Sequence, residues 1–93
     1  MDVHRSLEMS LTREEFFRLL TASVKSFTVD RESIRGAEGD GDWAIRLTRL
    51  ADHQVGSVAL PCHRVEISVE ARSEAQGKAL IERLQRGFLR AGG

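Results

Sequence analysis

WAIRLTRLADHQVGSVALPCHRVEISVE, residues Trp43 to Glu70, decides the fold. Its first part alternates. Trp43, Ile45 and Leu47 fall on one side, Arg46 and Thr48 on the other. The last part does the same, with Val65, Ile67 and Val69 against Glu66, Ser68 and Glu70. Successive side chains of a strand point to opposite faces, so each segment predicts a strand with one buried and one wet face. Between them, Val58 and Leu60 read as inward-facing, but on even numbers, whereas Val65, Ile67 and Val69 are odd. The phase therefore slips between Leu60 and Val65. A β-bulge over Pro61-Cys62-His63-Arg64 restores it, because Pro61 cannot donate to a ladder. A tight turn creating a fourth strand is the alternative. The absence of Gly, Asn and Asp from these four residues favours the bulge.

Outward from this stretch, two helices announce themselves by their caps. Thr12-Arg13-Glu14-Glu15 is a capping box, in which the Thr12 hydroxyl and the Glu15 carboxylate each take a free amide of the first turn. Leu11 and Phe16 are spaced for a hydrophobic staple. Phe16, Leu20, Val24 and Phe27 form an apolar stripe, widened by Phe17 and Leu19. That breadth makes Phe17 and Leu19 the candidate interaction residues. Ser73-Glu74-Ala75-Gln76 opens the second helix in the same way, followed by the stripe Gly77, Leu80, Ile81, Leu84 and Phe88. Gly77 costs about 1 kcal/mol in a helix relative to Ala. A close approach of backbone to the sheet or the first helix would justify it.

The remaining segments read as connections and an irregular first strand. Phe27-Thr28-Val29 and Ser33-Ile34-Arg35 suggest that strand, with a turn or polar stretch at Asp30-Arg31-Glu32. Residues 36–42, GAEGDGD, read as a loop. Ala51-Asp52-His53-Gln54 read as the next turn. Residues 1–10 read as a disordered extension, and 11–93 as a single domain. The expected architecture is α+β: a two-layer α-β-β-β-α sandwich. Its three-stranded antiparallel sheet, with a possible fourth strand, carries both helices on one face.

Composition narrows the function. Apolar content of 41% with 30% charged residues is that of a folded domain. Fourteen basic and fourteen acidic residues cancel. That balance weighs against a nucleic-acid or membrane-surface binder, which carries excess positive charge. One cysteine excludes an internal disulfide. No run approaches the ~20 apolar residues of a membrane helix. No secretory signal is visible, so the cytoplasm is the expected compartment.

Motifs for chemistry are weak. Glu38, Asp40 and Asp42 alternate with glycines like the opening of a calcium loop, but Trp43 and Arg49 stand where that loop needs Gly and Glu. His53, Cys62 and His63, with Asp52, are the next metal-ligand candidates, and they lack paired spacing. Nucleophile elbows and phosphate loops are missing, so no enzyme and no cofactor is expected. The α-β-β-β-α order is shared with double-stranded-RNA-binding domains, but the basic cluster that contacts RNA is absent and the loop before Trp43 is acidic. The expectation is a small cytoplasmic module acting through protein–protein contacts, by a sheet edge or by Phe17 and Leu19, with a homodimer as one form of that contact. The alternative is a small-ligand or metal module using residues 52–63. RNA binding ranks below both.

Overall fold

The computed structural model describes residues 1–39 and 41–90. It is an α+β domain with a five-stranded antiparallel sheet and two helices. Along the chain the elements are β1 (Asp2–Met9), α1 (Arg13–Ser23), β2 (Thr28–Asp30), β3 (Ser33–Glu38), β4 (Gly41–Val55), β5 (Val58–Glu70) and α2 (Glu74–Arg90). In space the strands run β1-β5-β4-β3-β2. Strands β2 to β5 are a meander. Helix α1 carries the chain from one edge of the sheet to the other.

The odd-numbered apolar residues of the central strands face the helices, as the alternation predicts. Trp43, Ile45, Leu47, Val65, Ile67 and Val69 are all buried, with Ile34 beside them. From α1 come Phe16 and Leu20, and from α2 come Leu80, Ile81, Leu84 and Phe88. The rings of Phe16 and Phe88 meet at 5.0 Å between centroids and join the two helices. The first capping box is complete, and the second shows its forward bond. The Glu15 amide donates to Thr12 Oγ1 at 3.1 Å, and the Thr12 amide donates to Glu15 Oε1 at 3.0 Å. The Gln76 amide donates to Ser73 Oγ at 3.2 Å.

The segment 36–42, read as a loop, is mostly strand, with 36–38 in β3 paired to 41–43 of β4, and four further features depart from the sequence reading. Residues 2–9 are a strand rather than a disordered extension: β1 pairs with β5 over its whole length, from Asp2↔Glu70 to Met9↔His63. Its odd residues are half-buried and its even residues exposed. Residues 28–38 form a hairpin of two strands, closed by Arg31 in the left-handed region (φ 57°). With β1, this split raises three strands to five. Next, Ala51-Asp52-His53-Gln54 is not a turn. Strand β4 runs through it to Val55, and the chain reverses at Gly56-Ser57, where Gly56 adopts φ 63°. A two-residue hairpin needs that left-handed position, which glycine fills without strain.

The fourth concerns the slip in phase. Leu50 pairs with Cys62 and His53 with Leu60, so β4 spends one more residue than β5 over the same step. The bulge therefore lies on β4, at Ala51-Asp52, opposite Pro61. The missing amide of Pro61 interrupts the ladder there, and an extra residue in the partner strand absorbs the interruption. Strand β5 keeps its own alternation, so Val58 and Leu60 fall on the face away from the helices. Both are exposed, at 54% and 37%.

Gly77 does sit at a close approach. A Cβ there would lie 2.6 Å from Cγ2 of Val3, so α2 rests directly on β1.

Candidate interaction surfaces

The end of the β4–β5 hairpin leaves the body of the domain. Strand β1 stops at Met9↔His63 and β3 starts at Ser33↔Arg46, so neither flanks the hairpin beyond those points. All ten residues from Ala51 to Leu60 are exposed. At ~3.4 Å per residue the two strands project about 17 Å. The molecule measures 47 × 25 × 22 Å with a radius of gyration of 13.6 Å. A compact chain of this length has about 12 Å. Pairing puts Val55 opposite Val58 and His53 opposite Leu60, so these four side chains share one face of the arm. That face continues into Leu50 and Cys62, both half-buried.

The long edges of the arm are protected. Pro61 has no amide to offer, and its carbonyl accepts from Ser10 Oγ at 3.3 Å. On the β4 side the bulge breaks the regular row of donors and acceptors, and Arg49 and Asp52 pair across it at 2.6 Å. Proline and bulges are the devices that blunt an edge against strand addition. The apolar face of the arm has no such protection.

The sheet surface away from the helices grades from acidic to apolar. Asp2, Glu70 and Asp42 stand in direct register across β1, β5 and β4. Like charges placed opposite one another in a sheet repel. They border an open cleft of about 650 Å³ that also takes in His4, Arg35 and Ser68. Further along, Glu8 and Arg64 pair at 3.7 Å, and then come Cys62, Leu60 and Val58.

The residues singled out from sequence are dispersed. Phe17 and Leu19 are half-buried and pack on the core margin. The Phe17 ring is stacked on Phe27 at 6.2 Å and lies under the Arg13 guanidinium at 4.9 Å. Most of its surface is therefore occupied within the chain. His63 is buried among the inward residues, where Nδ1 donates to the carbonyl of Leu11 at 2.9 Å. It ties the turn before α1 to the sheet. Cys62, a free thiol, faces the other way, and His53 sits out on the arm. Among the described residues no group of three or more His, Cys, Asp and Glu side chains is arranged to hold a metal ion. In the acidic segment, Glu38 is bound to Arg83 at 2.6 Å and Asp42 belongs to β4, while Asp40 lies outside the described residues. No described helix is long and apolar enough to cross a membrane.

One perturbed carboxylate is structural. The Thr12 amide and hydroxyl hold Glu15 below the usual carboxylate range. The surface that sequence reasoning missed is the arm. Its signal was the Gly56-Ser57 pair, a turn dipeptide placed between Val55 and Val58. Compared with models of known protein families and with curated protein sequences, the chain matches none.

Proposed function

We propose that this chain is a cytoplasmic interaction module that docks another protein on its β4–β5 arm. The observation that carries this reading is the apolar face formed by Val55, Val58 and Leu60 on a ribbon exposed from Ala51 to Leu60. A two-stranded ribbon is marginal in water on its own. Apolar side chains gathered on such a ribbon gain by being covered. Its protected edges favour side-chain contact over strand addition. The carboxylate row Asp2-Glu70-Asp42 weighs against nucleic acid as the partner, since phosphates would meet like charge.

The test is site-specific photocrosslinking in cells of the source organism. A photoreactive residue at Val58 or Leu60 should capture a discrete protein. The same residue at exposed Glu82, on α2, should not. Capture should fall at least tenfold when Val55 is replaced by Lys. Equal capture from position 82, or none from the arm, would refute the reading.

A further inference from the structure

We propose that two copies of this chain also join through their β1 edges, antiparallel and about a twofold axis at Ser6. The joint makes one continuous sheet of two domains. It is separate from the arm and stands or falls without it.

The geometry of β1 sets up the argument. Met1 and Ala71 exchange both backbone hydrogen bonds, at 2.9 and 3.0 Å. Hydrogen-bonded and non-bonded pairs alternate along an antiparallel ladder. The odd residues of β1 therefore spend their amides and carbonyls on β5. The even residues, Asp2, His4, Ser6 and Glu8, turn theirs to the free edge. This strand has neither proline nor bulge, in contrast to the arm, and its one inward-facing charge, Arg5, is taken up by Gln85. The opposite edge of the sheet, β2, has only three residues.

Charge then selects the register. A twofold pairing that bonds even residues to even residues can be centred on four positions. Centring on Arg5 sets Arg5 against itself and Asp2 against Glu8, both repulsive. Centring on His4 or Leu7 pairs only residues 2–6 or 5–9. Centring on Ser6 pairs residues 3–9 with no like-charged contact. On the open face it places His4 opposite Glu8 of the second copy. His4 Nδ1 already meets Ser68 Oγ at 2.9 Å, which leaves Nε2 for that carboxylate. On the helix face it places Val3 opposite Met9 and Leu7 opposite Arg5. Val3, Leu7 and Met9 are half-buried at the sheet margin, and a second copy would complete their cover. The pairs His4–Glu8, Ser6–Ser6 and Glu8–His4 supply about six backbone hydrogen bonds.

A strand-edge joint is small, so the dissociation constant belongs in the range of about 1–100 µM. Sedimentation equilibrium between 1 and 300 µM tests it. The unmodified chain should pass from monomer to dimer. Ser6→Pro removes an amide that β5 does not use, and Ser6→Lys puts two cations at the axis. Each should weaken association at least tenfold while the thermal melt of the monomer stays in place. Val58→Lys should leave association unchanged. In a Cys62→Ser background, Ser6→Cys should form a disulfide-linked dimer under mild oxidant and Arg5→Cys should not. A chain that stays monomeric at 300 µM overturns the proposal. So does a dimer indifferent to both Ser6 substitutions, or one cross-linked through position 5 instead.

Discussion

Replacing Gly77 by alanine sets two effects of opposite sign against each other where α2 rests on β1. In an open helix the change would stabilise by about 1 kcal/mol, because alanine restricts the unfolded chain and favours the helix. Here the new methyl would lie 2.6 Å from Cγ2 and 3.2 Å from Cβ of Val3. Valine is stiff at χ1 and cannot swing its methyl aside. Val3 is also held in register with Val69, so β1 itself must shift. Overpacking of this kind costs about 1–3 kcal/mol. The net expectation is a loss of roughly 1 kcal/mol, or a drop in Tm of about 4–8 °C. Val3→Ala removes the offending methyl, and in that background Gly77→Ala should turn stabilising by about 0.5–1 kcal/mol. The assay is urea denaturation of the four proteins of the double-mutant cycle, followed by Trp43 fluorescence and far-ultraviolet circular dichroism. A coupling energy of about 1.5–2 kcal/mol is expected. If Gly77→Ala stabilises equally in both backgrounds, α2 does not rest on β1 and the reasoning fails.

Three further predictions concern the core and the caps. Gly36 faces the Trp43 indole so closely that a Cβ would strike the ring, and Gly36→Ala should cost about 1–3 kcal/mol with a shift in Trp43 emission. His63→Ala leaves the Leu11 carbonyl without its donor in a buried setting and should cost about 2–3 kcal/mol, read by chemical denaturation. Glu15 has a lowered folded-state pKa, so its contribution is present above its unfolded value and lost as pH falls through the folded one. The Tm gap between the unmodified chain and Glu15→Gln should accordingly close on acidification through the carboxylate range, and a gap independent of pH would contradict the capping role.

Local signals in the sequence were reliable where one physical cause dominated. Thr12 and Ser73 marked the helix starts because a cap is set by residues adjacent in the chain. Trp43, Ile45, Leu47, Val65, Ile67 and Val69 marked the buried face because both strands are central and fully covered. Strand β1 was missed because its inward set, Val3, Arg5, Leu7 and Met9, contains a charge that the structure accommodates by a bond from Arg5 to Gln85. An edge strand is half-covered, so its alternation is dilute. Val58 and Leu60 were misassigned because apolar alternation was equated with burial, whereas on the arm it marks a face with nothing over it. The bulge was expected on the strand that contains Pro61. It fell on the neighbour because proline removes a donor from the ladder and the neighbour has the freedom to respond. Phe17 looked surplus to the helix stripe because Phe27 was counted as a member of that stripe, whereas α1 ends at Ser23 and Phe27, beyond it, stacks on Phe17 while Arg13 covers the ring.

The strand order has a consequence for how the chain is made. Strand β1 is synthesised first, yet its partner β5 ends sixty-one residues after Met9 (70 − 9). At roughly 5–20 residues per second, β1 waits about 3–12 s on the ribosome before its ladder can close. The β2–β4 meander depends on neighbours in sequence and can assemble in the meantime. Contacts between distant residues form late because the intervening chain must first be ordered. Docking of β1 is therefore the natural last event of folding, and Val3, Leu7 and Met9 stay open to chaperones for as long as it is delayed.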